Sequence, residues 1–171
     1  MLQVFRGDSW AAFTVGREAV ELCNRHGFTY YLAMANVLTG WAGAAQGDIS
    51  GGLAQLRDGL DGMRRLNAEI RLPYYFALLA ETQGRTDSSS EALASLSTGL
   101  AFASKNGEEW AVPELHRVHG ELLAAQGKPE PARASFQRGL EAAQRVGSLA
   151  FARRLSILAD GTAAIPSTER F

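Results

Sequence analysis

Residues 120–140 read GELLAAQGKPEPARASFQRGL and carry the clearest architectural signal in the chain. Shifting the chain by forty residues aligns this segment with two earlier ones, and three columns match in all three copies. The columns hold small residues, large apolar residues and glycines, namely Gly52, Ala92 and Ala132; Leu56, Leu96 and Phe136; and Gly59, Gly99 and Gly139. A fixed period of this length predicts stacked units that share one core.

Helix start and stop signals repeat with the same period. Residues that accept a left-handed conformation past a helix end recur at Gly27, Asn67, Gly107 and Gly147. At the opposite boundary, Asp48 and Ser88 are good N-caps, and Pro129 suits a first helical turn. Apolar residues between these signals have helical spacing, and no stretch shows sustained strand-like alternation.

We therefore predict an all-α fold, a right-handed solenoid of antiparallel helix hairpins with a period of about forty residues and roughly eight helices. The predicted helices cover 9–26, 29–46, 49–66, 70–84, 89–106, 109–126, 129–146 and 149–159. The hairpins are 29–66, 70–106 and 109–146, flanked by 9–26 and 149–159 in one repeat domain over residues 1–160. Residues 161–171 lack helical patterning, and we predict a mobile tail there.

The internal spacing of the third unit resembles that of a tetratricopeptide repeat. The Gly/Ala, Tyr, Ala, Phe, Ala core of that family corresponds to Gly120, Leu123, Ala132, Phe136 and Gly139. Two departures are Gly43 and Gln83, which replace the usual aromatic residue. A period near forty also admits HEAT-like repeats, since tetratricopeptide units usually have about 34 residues.

Four segments extend the resemblance: Gly40-Trp41-Ala42, 73–81, Gly107-Glu108-Glu109-Trp110 and 114–123. In this order they resemble the C-terminal tetratricopeptide-like region of large bacterial signalling proteins. Those proteins are adenylate/guanylate cyclase-like, or transcription regulators that carry a signalling ATPase domain. The resemblance implies a regulatory module of a larger polypeptide. The last helix departs from the usual family ending.

Each predicted hairpin has a first helix and a second helix, which we call first-type and second-type. The first long helix, from Trp10 to His26, has the pattern of a second-type helix, and its first-type partner is missing. We therefore expect either an upstream domain or a homo-oligomer that forms through this helix. The alternative is that residues 1–8 fold back and cover it.

Composition and motifs exclude several classes of function. The 171 residues have a net charge of −1, which gives no reason to expect nucleic acid as a partner. No apolar run is long enough for a membrane span, and no signal peptide precedes the first helix, so we predict a cytoplasmic protein. No phosphate loop, zinc-protease motif or nucleophile elbow is present, so we predict no enzymatic activity and no cofactor.

Three residues could in principle bind a metal or act as a nucleophile. His116 and His119 lie three apart on one helix, but we predict no metal site, because Glu121 points elsewhere. Cys23 lies near a helix C-terminus, where the dipole disfavours a thiolate, and we expect a buried structural thiol.

First-type helices line the concave groove of such an array, and we predict that this groove binds a partner. The predicted partner-binding residues are Met34, Val37, Trp41, Tyr74, Glu81, Arg85, Glu114, Arg117 and Glu121. We expect Glu114, Arg117 and Glu121 to form a network on one helix face. An apolar partner side chain would contact Trp41 and Tyr74, and a partner carboxylate would bind Arg117 or Arg85. The alternative is that neighbouring residues neutralise Arg117.

The leading prediction of function is a non-catalytic scaffold for protein–protein recognition. Its partner would be a protein or peptide segment, which could belong to another domain of the same polypeptide. One alternative is an intramolecular regulatory module of a signalling protein. A third class is a small-molecule sensor that uses the aromatic end of the groove.

Overall fold

The computed structural model describes residues 1–86 and 88–163, with side chains up to residue 161. This part of the chain is all-α, as predicted, and within it there are nine α-helices, one 3-10 turn and no strand. The helices are α1 Leu2–Phe5, α2 Ser9–His26, α3 Thr29–Ala45, α4 Ile49–Arg65, α5 Leu72–Gln83, α6 Ser89–Asn106, α7 Val112–Ala125, α8 Pro129–Arg145 and α9 Leu149–Ala163. The 3-10 turn is Glu109–Ala111.

The stop signals, the Asp48 cap and Pro129 in the first turn of α8 act as the sequence predicts. The predicted stops all have positive φ, at Gly27 (71°), Asn67 (50°), Gly107 (69°) and Gly147 (69°). The Asp48 carboxylate caps α4 by accepting a hydrogen bond from the Gly51 backbone N–H at 3.0 Å. Asp8 caps α2 in the same way through the Ala11 N–H, which was not predicted.

Several helix ends differ from the prediction, and a ninth helix is added to the roughly eight predicted. The predicted helix 109–126 opens with the 3-10 turn, so that α7 begins at Val112. The additional helix α1 has no side-chain cap and only four residues, so its sequence contains no periodic signal. The helix predicted from residue 70 begins at Leu72, because Arg71 has a φ of 67°. The backbone N–H of Arg71 donates to the Glu108 carboxylate at 2.9 Å.

The last helix continues to Ala163, so residues 161–163 are helical, although the sequence shows no helical patterning there. A single glycine, Gly161, costs only about 1 kcal/mol in a helix and does not end it. The rest of the predicted tail, residues 164–171, lies outside the described residues.

The chain forms two compact units. Within the described residues, the N-terminal unit comprises residues 1–70, 82–86 and 88, and the C-terminal unit comprises residues 71–81 and 89–163.

In the N-terminal unit, α3 packs on both α2 and α4. Glycines allow the α3 and α4 backbones to approach closely: a Cβ added at Gly40 would lie 2.5 Å from the Gly52 carbonyl oxygen. Val37 and Leu56 are fully buried in this unit. The short helix α1 packs on α2 and buries Val4, so residues 1–8 do fold back, over one end of α2.

In the C-terminal unit, α7 packs on α8 and α8 packs on α9. The Phe136 ring of α8 is 1% exposed and lies against Gly120 of α7, where an added Cβ would collide with it. Phe136 belongs to one apolar cluster with Ala143 and Leu155. A second cluster in this unit contains Ala77, Ala80, Ala92, Leu96, Leu115, Val118 and Leu122.

Among the described residues, no helix combines the length and the apolar character that crossing a membrane requires.

Candidate functional site

The most distinctive polar feature of the C-terminal unit is a buried guanidinium on α7. The 3.6-residue period places Glu114, Arg117 and Glu121 on one face of this helix. Arg117 Nη2 donates to Glu114 Oε1 at 2.8 Å, and Arg117 Nη1 donates to Glu121 Oε2 at 2.5 Å. The predicted network on one helix face is therefore confirmed.

Helix α5 adds a third carboxylate to this network. Glu81 Oε2 accepts a hydrogen bond from Arg117 Nη2 at 2.6 Å across 36 residues of sequence. The sequence predicts Glu81 in the groove, but not its pairing with Arg117. The forty-residue period could have revealed this ion pair, because Glu81 and Glu121 are forty residues apart and occupy the same position on successive first-type helices.

Helix α9 contributes a second cation that the sequence analysis missed. Arg154 Nη1 lies 3.7 Å from Glu114 Oε1. Arg154 follows Glu114 by forty residues. Applying the same forty-residue shift to the predicted groove residues would therefore have identified Arg154 on the last helix. We call Glu81, Glu114, Arg117, Glu121 and Arg154 the Arg117 cluster.

The electrostatics of the Arg117 cluster favour a permanently charged guanidinium. Burial alone would lower the pKa of Arg117, but attraction by Glu114 and Glu81 outweighs burial and raises that pKa above its ordinary value. Three carboxylates face two guanidiniums, which leaves a formal charge of −1. The cluster is thus slightly acidic around an arginine whose two Nη atoms are both paired.

Two buried atoms of the cluster make no hydrogen bond within the described part of the chain. They are Glu114 Oε2 and Arg117 Nε. The side chain of Glu114 is only 4% exposed, so desolvation of this carboxylate oxygen is only partly compensated. The negative charges of Glu114 and Glu81 also act on Tyr74. Burial, followed by these two charges, raises the pKa of the Tyr74 hydroxyl above its ordinary value, so the hydroxyl stays protonated.

Only part of the cluster reaches solvent. The exposed fractions of the side chains are 40% for Glu121, 41% for Arg154 and 17% for Glu81, against 3% for Arg117. The guanidinium of Arg117 is therefore not available to a partner's carboxylate, which corrects the predicted role. The structure favours the alternative, in which neighbouring residues neutralise Arg117, because three carboxylates of its own chain already occupy its Nη atoms.

The remaining predicted residues occupy other environments. Tyr74 is buried in the C-terminal unit, and its ring packs against Trp110 with centroids 5.6 Å apart. In the N-terminal unit, Val37 and Trp41 are buried and Met34 is half-buried. Arg85 is exposed in the segment 82–88 of the same unit. Burial of Val37, Trp41 and Tyr74 removes these side chains from direct contact with a partner, which corrects their predicted role as a binding surface.

The two histidines of α7 pack against α8. His119 Nδ1 lies 2.9 Å from Ser135 Oγ, and that hydroxyl donates to the His116 carbonyl oxygen at 3.1 Å. Burial, followed by the charges of Arg138, His119 and Arg145, lowers the pKa of His116 to about 4. Burial and Arg138 lower the pKa of His119 as well. The His119 ring and the His116 carbonyl thus help to hold α7 against α8.

Other reactive groups are few in the part of the chain that the structure describes. No three His, Cys, Asp or Glu side chains converge there in a way that could hold a metal ion. The single cysteine, Cys23, is buried on α2.

Comparison with known proteins finds no match, either among protein-family models or among curated proteins.

Proposed function

We propose that this protein is a non-catalytic, tetratricopeptide-like scaffold that binds a protein or peptide segment. Its helix pairs would form a right-handed solenoid with a period of about forty residues, and its location would be the bacterial cytoplasm. Support comes from the left-handed residues at one spacing, the helix pairs and the small residues where these helices touch. The absence of catalytic motifs in the sequence supports a non-catalytic role.

The Arg117 cluster carries this proposal. Its solvent-facing edge consists of Glu121, Glu81 and Arg154, and behind that edge Arg117 is held by three carboxylates. With a formal charge of −1, the cluster attracts a cation more strongly than an anion. A lysine or arginine side chain that lies between Glu81 and Glu121 would neutralise the cluster through charge-assisted hydrogen bonds. The proposed segment is therefore basic, whereas the sequence predicts a segment that presents an apolar side chain and a carboxylate.

Rigidity of the site supports a binding role. Arg117 connects α5 to α7, and Arg154 of α9 lies beside Glu114. Carboxylates that are positioned before a partner arrives lose little conformational entropy on binding. The site is therefore preorganised for a partner.

A selection of displayed peptides tests the proposal. We would select short random peptides on the wild-type protein and measure their dissociation constants by fluorescence anisotropy. We expect lysine or arginine in the selected peptides. The double variant Glu81→Gln with Glu121→Gln keeps hydrogen-bond acceptors but loses two charges, and we expect it to bind about tenfold more weakly or worse, a change of about 1.4 kcal/mol.

Glu141→Gln is the matched control, because Glu141 is an exposed carboxylate on α8 outside the cluster. We expect this variant to bind like the wild type, and far-ultraviolet circular dichroism would verify that all variants remain helical. Selected peptides without basic residues, or equal binding by the double variant and the control, would contradict the proposed site.

A further inference from the structure

The two guanidiniums of the Arg117 cluster are held very differently. Arg117 Nη1 lies 2.5 Å from Glu121 Oε2. Arg117 Nη2 lies 2.6 Å from Glu81 Oε2 and 2.8 Å from Glu114 Oε1. Arg154 Nη1, by contrast, lies 3.7 Å from Glu114 Oε1, which is too far for a hydrogen bond. Among the described residues, Arg154 is thus held by one loose ion pair.

Helix α9 provides no other anion for Arg154. The residues three and four positions away on this helix are apolar, namely Ala150, Phe151, Ile157 and Leu158. Side chains at these spacings are the neighbours that a helix provides, so no carboxylate lies within one turn of Arg154 on α9. The Arg154 side chain is also 41% exposed, against 3% for Arg117. Arg154 can therefore turn into solvent, whereas Arg117 cannot.

Glu114 retains an acceptor that neither guanidinium uses. Its Oε1 accepts the hydrogen bond from Arg117 and is also the oxygen paired with Arg154. Its Oε2 is buried and makes no hydrogen bond among the described residues. A buried carboxylate oxygen without a donor is unfavourable, because its desolvation is not compensated. A cation that donates a hydrogen bond to Glu114 would therefore be held more firmly than Arg154 is.

We propose that Arg154 is an internal competitor at the Arg117 cluster, and that a basic side chain of the partner replaces it at Glu114. This inference rests on the proposed binding of a basic segment to the cluster. With Arg154 in place the cluster has a formal charge of −1. When Arg154 turns into solvent, three carboxylates face Arg117 alone, which gives a formal charge of −2. Arg154 therefore lowers the affinity for a cation, and a neutral segment cannot replace its charge.

A small cation tests this inference in the full chain. The probe is the n-propylguanidinium ion, because it reproduces an arginine side chain from Cβ outward. Its dissociation constant would be measured by NMR at constant ionic strength, from the shifts of the arginine side-chain Nε–Hε resonances. We expect Arg154→Gln to bind the probe about three- to tenfold more tightly than the wild type, because the cluster gains one negative charge at a partly exposed edge.

Arg153→Gln is the matched control. It removes one positive charge from the same helix, but Arg153 is exposed and forms no ion pair with the cluster among the described residues. We expect this variant to bind the probe like the wild type. Far-ultraviolet circular dichroism would verify that both variants remain helical.

The wild-type protein supplies a second readout that needs no altered cluster. As the probe replaces Arg154 at Glu114, the Arg154 Nε–Hε resonance should move towards the position of an exposed arginine along the same titration curve. The Arg153 resonance should stay in place. An Arg154 resonance that does not move while the probe binds would overturn the inference.

The affinities separate this inference from the proposed function. Equal binding by the wild type and Arg154→Gln, or an equal gain in Arg153→Gln, would overturn the competition and leave the basic segment as the proposed partner. Weaker binding by Arg154→Gln would also overturn it, because Arg154 would then help to hold the ligand. No binding of the probe to any of the three proteins would overturn both this inference and the cation site on which it rests.

Discussion

Helices α2 and α8 carry equivalent faces in the two units, but these faces are packed differently: on α2, Gly16 lies against Thr39 of α3. On α8, Phe136 is buried against Gly120, and Leu155 of α9 packs beside it. On α2, Gly16 takes the place of Phe136, and a cavity of about 370 Å³ adjoins the small residues of that helix. A repeated pattern thus specifies that a helix face is suited to a neighbour, whereas the side chains of the neighbouring helices determine how completely the space beside that face is filled.

The two units also differ in what holds their helices together. In the N-terminal unit, glycines bring α3 and α4 close enough for backbone contact. In the C-terminal unit, a large ring fills the space between α7 and α8, and a buried ion network joins α5 to α7. We therefore expect mutations of side chains to affect the C-terminal unit more strongly.

The largest expected effect is that of Phe136→Ala. Removing a buried ring leaves a cavity between α7 and α8, and we expect a loss of about 3–5 kcal/mol in the free energy of unfolding. The matched change on α2 is Leu22→Ala, at a side chain that is 49% exposed, and we expect it to cost less than about 1 kcal/mol. Chemical denaturation measures both values. Equal losses would show that the faces of α2 and α8 are equally filled.

A smaller effect is expected for Gly120→Ala, which adds one methyl group to the filled face. The new Cβ would collide with the Phe136 ring, and overpacking of this kind costs about 1–3 kcal/mol. The same substitution at Gly161 on α9 meets no atom within 4 Å, so helix propensity should make it neutral or stabilising by up to about 1 kcal/mol. The midpoint temperature of thermal unfolding should therefore fall for Gly120→Ala and stay the same or rise for Gly161→Ala. A stabilised Gly120→Ala variant would mean that the ring is not held firmly.

The smallest expected effect concerns acid stability of the contact between α7 and α8. Folded His116 has a pKa of about 4, whereas the ordinary value is 6.5. Between these values the unfolded chain binds more protons than the folded chain, so stability is complete above pH 6.5 and falls as the pH drops towards 4. We expect a loss on the order of 1–2 kcal/mol, because partial exposure screens part of the effect.

Denaturation as a function of pH measures this slope, and His116→Gln should flatten it. An NMR titration gives an independent measurement. A His116 ring that titrates near 6.5 in the folded protein would remove the expected contribution.

Much of the local structure could be predicted because it depends on short-range rules. Asn67, Gly107 and Gly147 end helices where the sequence predicts, since few other residues accept a left-handed conformation. The contacts of Arg117 with Glu114 and Glu121 could also be predicted, because residues three and four apart on a helix must be neighbours. Short α1 was missed because one turn has no periodicity to detect.

The sequence by itself determined the all-α class, most helix boundaries and the face on which the charges of α7 lie, because these depend on residues within one or two helical turns. Only the tertiary structure decided that Glu81 joins Arg117, that Arg117 is buried and that a cavity adjoins the small residues of α2. These features depend on which helices come together and how closely, and no local spacing contains that information. For this reason the sequence predicted an arginine that binds a carboxylate from outside, whereas the folded chain already supplies three of its own.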